Sequence, residues 1–498
     1  MLANAGVRVS VLALVLLPSL IASSSVFHDM LQRMAVQLFQ PSKQGVWIEQ
    51  RTRFQLLVDR AAAVGKQVVD HPELRYPEAH HLMFLAKRGS PETSNGSLLA
   101  TLEDIDVALK QLLQQQLPTS FPLARRAILM MMLQWSQSRT QPGNKQQAGV
   151  HVGFDVAEDN KVDSILRSLY TLHHTGLRRR GVLEHIHVSK AAGSTMCKLG
   201  FKNRCSTKIF KPSGGKGNCL VTEFDDTPRW ISEAMHVKLK FPTEGKKTYV
   251  KFGQRRMAEV SCASRLEFLR QNKWNYFGNE YTLLLPSQGS TSVHLCPQFV
   301  YVLVFRSPFV RLLSHLQYIV EQYAERYKDA RISDGFAVMT DRQWQAFAPA
   351  VTDNYYIRTL LGEDVFNLHP GAIGEEHLVQ AELVLASVDI LLDSEFEKMD
   401  LLNLHVGLGW EFGFEHAHEK RGKPPLEFLR RQQVPPQLKN MFVRNKWDLC
   451  LYNLSKLLGS LDAALFEYAD SNRFVVPARA SCGHVGLAPD MQSNVTAG

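Results

Sequence analysis

In the run "HIHVSKAAGST", residues 185–195, one lysine follows an alternating apolar segment and precedes only small or hydroxyl-bearing residues. The alternation over 182–188 predicts a strand, and "TMCKLGF" from Thr195 predicts the opening of a helix. Ser189 to Ser194 then form a tight connection between the two. A helix start carries backbone N–H groups without intrahelical partners and roughly half a positive charge. The small residues Ala191, Ala192 and Gly193 let an anion approach that backbone, Lys190 adds a full charge, and Ser194 and Thr195 add hydroxyl donors. This is not the nucleoside triphosphate loop GxxxxGK[ST], because the lysine comes before the small residues and no hydroxyl follows it directly as a magnesium ligand.

A second cationic group stands at the end of another apolar run, "FVYVLVFRSPFVRLLSHLQYI", 299–319. The strand ends at Arg306, Ser307 suits a helix N-cap and Pro308 the first helical position. The helix that follows carries Leu312, Leu313, Leu316, Ile319, Val320 and Tyr323 as an apolar stripe, with Arg311, Ser314, His315 and Tyr318 on the opposite face. Arg306 and Ser314, two turns apart, are therefore placed to share one anion, the arginine bidentately and the serine by a single bond.

Taken with two further segments, these stretches resemble the Golgi-type carbohydrate sulfotransferases. "SKAAGST" is similar to that family's PKTGGTS or PKTAST loop, matching at Lys190, Gly193, Ser194 and Thr195. "RSPFVRLLSHL" is similar to its RxPxxRxxS element at Arg306, Pro308, Arg311 and Ser314. "DNYYIRTLLG", 353–362, resembles NxQxRxLxG, and "VRNKWDLCLYNLSKLL", 443–458, resembles the closing N-x-x-D-x-x-LY helix. "LASVDILLDSEFEKMDLLNLHVGLGW" resembles the strand–helix–LGW run between them. The likeness spans about residues 180–470, with the elements in family order. Ser189 stands where the family has proline, and Ala192 where one branch has glycine.

The resemblance implies a P-loop-like sulfotransferase fold and the donor 3′-phosphoadenylyl sulfate (PAPS), with no metal. Lys190 and the backbone of Ala191, Ala192, Gly193, Ser194 and Thr195 then hold the 5′-phosphosulfate, and Arg306 and Ser314 the 3′-phosphate. The acceptor is a glycan or polysaccharide hydroxyl rather than a nucleic acid. Sulfuryl transfer needs stabilisation of the leaving phosphate, an in-line hydroxyl and a base for its proton. Candidates for that base are Glu223 in "CLVTEFDD", at an expected strand end, His236 in "EAMHVKL", and His294.

The elements positioning these groups follow from the texture of the chain. After residue 176 short β-rich runs alternate with helical patterns: "VLEHIHV", "CLVTEF", "TYVKF", "YTLLL", "FVYVLVF" and "VDILLD". That alternation predicts an α/β domain over 176–476 with a central, mainly parallel sheet flanked by helices. Residues 26–175 read as helices forming a stem or extension, with a linker at "SRTQPGNKQQAG", and 477–498 as a disordered tail. Residues 1–25, Arg8 followed by "VSVLALVLLPSLIA" and "SSS", read as a secretory signal or a signal anchor. Either places the body of the chain in the secretory lumen, and the resemblance names the Golgi. Three Asn-X-Ser/Thr triplets, at Asn95, Asn453 and Asn494, fit that compartment. Seven cysteines are too scattered to define a disulfide scaffold; pairing of some leaves at least one free.

With 498 residues, 45% hydrophobic and 21% charged, the chain is of globular composition, and 57 Lys+Arg against 48 Asp+Glu fit an anionic partner without choosing one. Arg178, Arg179, Arg180, Arg255 and Arg256 are candidates to line an acidic polysaccharide cleft. Other readings are a glycan- or nucleotide-binding module that keeps the fold without the chemistry, and a sulfotransferase for protein tyrosine or small alcohols. "KPSGGKGN", 211–218, lacks the hydroxyl of a phosphate loop and reads as a flexible turn.

Overall fold

In the computed structural model, residues 44–63, 69–70, 76–91, 97–115, 117, 119–140, 156–207, 218–239, 252–257, 260–284, 293–327, 335–395, 398–417, 439–473, 475 and 482–485 are described. The N-terminal signal segment, Asn95, the Asn494 triplet, residues 248–251 of "TYVKF" and 211–217 lie outside them. Among the described residues no helix is long and apolar enough to cross a membrane.

Helices come first: α1 Gln44–Ala63, α2 Pro77–Arg88, α3 Leu98–Gln115, α4 Pro122–Thr140 and α5 Val156–Arg179, with the short strand β1 Val69–Asp70 after α1. Then follow β2 Val182–Ile186, α6 Gly193–Lys202, α7 Glu233–Lys238, α8 Cys262–Gln271, β3 Tyr276–Asn279, β4 Val293–His294 and β5 Phe299–Phe305. The chain continues through α9 Pro308–Tyr327, α10 Asp341–Phe347, α11 Tyr355–Leu360, α12 Gly362–Phe366, α13 Glu375–Ala386, β6 Ile390–Asp393, α14 Lys398–Leu402, α15 Lys439–Arg444 and α16 Lys446–Ser471.

Among the described residues the central sheet has four strands in the order β3-β2-β5-β6, all parallel. Every residue of these strands is buried, as a sheet covered by helices on both faces requires. The expected strands 182–188, 299–305 and 388–393 are present to within two residues. Two expectations fail. "CLVTEF" forms only an isolated bridge, Leu220 to Gly278, before a 3₁₀ turn. "YTLLL" is not the strand; the four residues "YFGN" upstream of it are, because pairing with β2 fixes the ladder there despite the weak strand propensity of Gly278 and Asn279.

The N-terminal helices are not a detached stem. They share one continuous apolar core with the sheet. Buried charges join them to it: Arg125 and Arg126 both pair with Asp462 of α16, at 2.9 and 2.6 Å. Arg180 grips Asp389, just before β6, through both carboxylate oxygens at 2.8 and 2.9 Å. The Arg256 side chain is likewise covered, pairing with Asp226, so neither the Arg180 nor the Arg256 guanidinium lines an open cleft; Arg255 is exposed and pairs with Asp364.

Among the described residues three disulfides tie the α/β part, Cys197–Cys219, Cys205–Cys482 and Cys262–Cys296, and Cys450 is in no disulfide. The disordered-tail reading of 477–498 is corrected at 482–485. These four residues are buried, Cys482 by its disulfide and His484 by its backbone N–H donating to Leu408 O at 2.7 Å. Asn453 lies within α16, where Ser455 Oγ donates to the Tyr452 carbonyl.

Candidate functional site

In the sheet, β3 lies on one side of β2 and the later strand β5 on the other. From the β2–β5 boundary the connections run outward in opposite directions, β2 to β3 one way and β5 to β6 the other, and in open parallel sheets ligands bind beyond the carboxyl ends at such a point. Two connections meet here: the loop after β2, with Lys190, and the turn after β5, with Arg306. The Arg306 guanidinium donates to the Lys190 carbonyl oxygen at 3.4 Å, so the two cationic segments are neighbours.

The loop after β2 has an unusual backbone. Lys190 and Ala192 both adopt left-handed conformations, φ 69° and 62°. Each costs about 1–2 kcal/mol for a residue with a Cβ. Ala191 N–H is turned inward to the Val188 carbonyl at 3.0 Å, and α6 opens at Gly193 with its first amides lacking intrahelical acceptors. Alternating hand in successive residues makes a concave row of N–H groups suited to an anion. Gly193 has a steric reason: a Cβ there would fall 1.6 Å from His187 Nε2, so the buried imidazole fills the space a side chain would need. Burial, with Lys190 nearby, holds His187 down to about 3, so the ring is neutral. The Lys190 ammonium sits 4.1 Å over the Tyr318 ring.

Ser189, just before the lysine, is fully buried and the hub of a network. Its hydroxyl donates to Glu280 Oε1 at 3.0 Å, accepts from Trp230 Nε1 at 3.2 Å and lies 3.0 Å from the Tyr355 hydroxyl. Tyr356, the next residue on α11, holds the other cationic segment. Its hydroxyl accepts from Arg306 N at 2.9 Å and donates to Arg306 O at 2.8 Å. One short helix thus braces both connections.

That helix is set by α16. The Asp448 carboxylate accepts from Tyr356 N at 3.0 Å and Ile357 N at 3.1 Å, while Asn354 Oδ1 accepts from Asp448 N at 3.1 Å. Asn445 Oδ1 accepts from Asn354 N at 3.0 Å, and Asn445 Nδ2 donates to the Thr352 and Met441 carbonyls. Arg358 pairs with Asp353 at 2.6 Å and donates to the carbonyls of Phe366, Leu368 and His369. The polar positions of "DNYYIRTLLG" and "VRNKWD" are thus structural fasteners behind the two anion-facing loops. Arg311 is one too: it is fully buried, donates to Val351 O at 3.1 Å and stacks 4.6 Å over the Tyr355 ring. The expected open face of α9 is therefore narrower than its spacing implies, since His315 is buried with it, while Ser314 and Tyr318 stay half-buried.

The base candidates separate clearly. Glu223 is exposed on the 3₁₀ turn Thr222–Phe224, and its carboxylate accepts from the Thr222 hydroxyl at 3.1 Å. His236 is buried in α7, Nδ1 2.8 Å from the Tyr323 hydroxyl amid an aromatic cluster with Phe336 and Phe347. His294 is paired with Asp70 in the two-stranded β1–β4 ladder.

The carboxylate that does touch the lysine loop is Glu280, which sequence reasoning missed. It is the first residue beyond β3, at the carboxyl end of the sheet. It is buried, bonded to Ser189, and 3.5 Å from His187 Nδ1. Burial raises its carboxyl to about 7, opposed by hydrogen bonds from Asn218 and Ser189 and by the charge of Lys190. A carboxyl poised there can accept a proton near neutrality. The usable signal was its place: one residue past a parallel strand next to β2.

Fold and site define an α/β protein whose all-parallel sheet carries a lysine-bearing loop with two left-handed residues, a second cationic turn and a buried carboxyl raised to about 7 at one crevice. Comparison of the chain with protein-family models, with curated proteins and with solved structures finds no match.

Proposed function

We propose that the protein is a sulfotransferase of the P-loop-like kind, moving the sulfuryl group of PAPS to a hydroxyl of a glycan in the secretory lumen. The observation that carries this reading is the meeting of the Lys190 loop and Arg306 at the β2–β5 crevice, both braced by α11. Lys190 and the amides opening α6 hold the phosphosulfate, and Arg306 with Ser314 the distal phosphate. Tyr318 seats the Lys190 ammonium beside the crevice. Glu280 replaces Glu223 and His236 as the proton acceptor. The acceptor hydroxyl gives its proton to Glu280 as its oxygen bonds to sulfur. The bond from sulfur to the bridging oxygen breaks, and the released phosphate keeps the electron pair, its charge met by Lys190 and the helix start. Three disulfides and the N-terminal sequence support an oxidising lumen.

The test is incubation of the purified full chain with radiolabelled PAPS and a panel of polysaccharides, with products identified by mass spectrometry. Incorporation lost in Lys190→Ala supports the assignment. Incorporation into no panel member, while the chain binds adenosine 3′,5′-bisphosphate, favours the binding module. Failure to bind that nucleotide at all overturns the reading.

A further inference from the structure

Asn218 joins the two halves of the crevice, and the reading above gives it no task. Its amide nitrogen donates to Glu280 Oε2 at 2.8 Å, and its amide oxygen accepts from the Ser194 hydroxyl at 2.8 Å. A carboxamide can donate to a carboxylate with one end and accept from a hydroxyl with the other. The same residue therefore touches both the buried carboxylate and the anion loop.

The surrounding chain is built to hold it there. Cys219, the next residue, is disulfide-bonded to Cys197, which follows Ser194 by three positions on α6. Cys219 O accepts from Gly278 N at 2.9 Å, and Leu220 bridges to Gly278, so this segment lies along the free edge of β3. Gly278 admits the approach, because a Cβ there would come within 2.6 Å of the Asn218 carbonyl oxygen.

We infer that Asn218 is a positioning residue that orients the Glu280 carboxylate toward the anion loop and favours its charged, proton-accepting form, with Cys197–Cys219 keeping it in register. This rests on the reading of Glu280 as the base. The other groups facing Glu280 are His187 at the end of β2, Lys190 and Ser189 in the loop, Tyr355 of α11 and the Asp226 carbonyl, which accepts from Glu280 N at 3.2 Å. His187 is neutral over the working range, so the donors from Asn218 and Ser189 and the charge of Lys190 are what favour ionisation.

The experiment compares full-length wild type, Asn218→Ala and Asn218→Asp, the latter nearly isosteric and a guard against a folding defect in the former. Two readouts are taken: the pH dependence of kcat for sulfuryl transfer, and the infrared titration of the Glu280 carboxyl, identified by its absence in Glu280→Gln. Loss of the donor is expected to move the acidic limb and the infrared midpoint up by about one pH unit in Asn218→Ala, and further in Asn218→Asp, which adds a like charge. Affinity for adenosine 3′,5′-bisphosphate should stay within about threefold. A Cys197→Ala/Cys219→Ala variant should show the same shift; a wild-type limb there removes the disulfide from the inference. A uniform fall in kcat with unmoved limb and midpoint overturns the role of Asn218. Normal transfer by Glu280→Gln instead overturns the base, while the infrared midpoint still decides whether Asn218 sets the proton affinity of Glu280.

Discussion

Ser189 shows how one hydroxyl can hold a loop in place. A proline in its place would stiffen the loop covalently; the serine does so with its three contacts to Glu280, Trp230 and Tyr355. Lys190→Ala removes the ammonium held over Tyr318 while leaving that network whole, so transfer should fall to background with an unchanged circular dichroism spectrum and melting temperature. Glu280→Gln tests the opposite side. The buried carboxyl titrates near 7 against an ordinary value of 4.5. A folded-state value above the unfolded one means that the folded chain keeps a proton the unfolded chain has already released. The group therefore costs stability as pH rises from about 4.5 through 7, and that cost is complete above it. Glu280→Gln should lose transfer at every pH yet melt higher than wild type at pH 8, by on the order of 1–3 kcal/mol; at pH 4 the two should melt alike. In the wild type, kcat should rise with pH through about 7 as the base becomes available.

At the scale of elements, α11 is the part on which both cationic connections depend, and Asp448 is what starts that helix. Burial raises the Asp448 carboxyl to about 6 even though it accepts two backbone N–H bonds. Asp448→Ala leaves those donors unpaired in the core and should cost about 2–4 kcal/mol, read as a lower urea midpoint with unchanged slope. Because Tyr355 and Tyr356 follow the helix, nucleotide affinity should fall with it. Tyr356→Phe is the finer probe: it frees the Arg306 backbone alone and should weaken nucleotide binding without a comparable loss of stability, as calorimetry would show. Elements differ in how far the sequence exposed them. β5 and β6 are apolar on both faces and announce themselves, whereas "YFGN" is a strand only because β2 pairs with it. Placing that strand at 281–285 instead put Glu280 before a strand rather than after it, which hid the carboxylate. The two cationic loops were legible because a charge followed by small residues or a helix cap is a local pattern. Asn218 was not, since its partners are 24 and 62 residues away.

For the molecule as a whole, the first five helices behave as part of the α/β body. Arg125, Arg126 and Asp462 are all within 1% of complete burial, and the two guanidiniums also donate to the carbonyls of Ala386, Val388 and Asp389 just before β6. This pairing joins residues over 330 positions apart and leaves no trace in local spacing, which is why a stem was expected. Asp462→Ala strands two buried guanidiniums and should destabilise by about 3–5 kcal/mol. A chain beginning at residue 176 should be insoluble or molten, with dye-accessible apolar surface, rather than an active core.

Cys205 and Cys482 lie 277 residues apart, one soon after the lysine loop and the other near the end of the chain. That bond has to wait until the 277 positions separating the two cysteines have been synthesised, so its closure follows, and cannot precede, the making of the whole α/β body between them. Product made in a reducing cytosol would emerge with this clasp open, and oxidative refolding should be needed to close it.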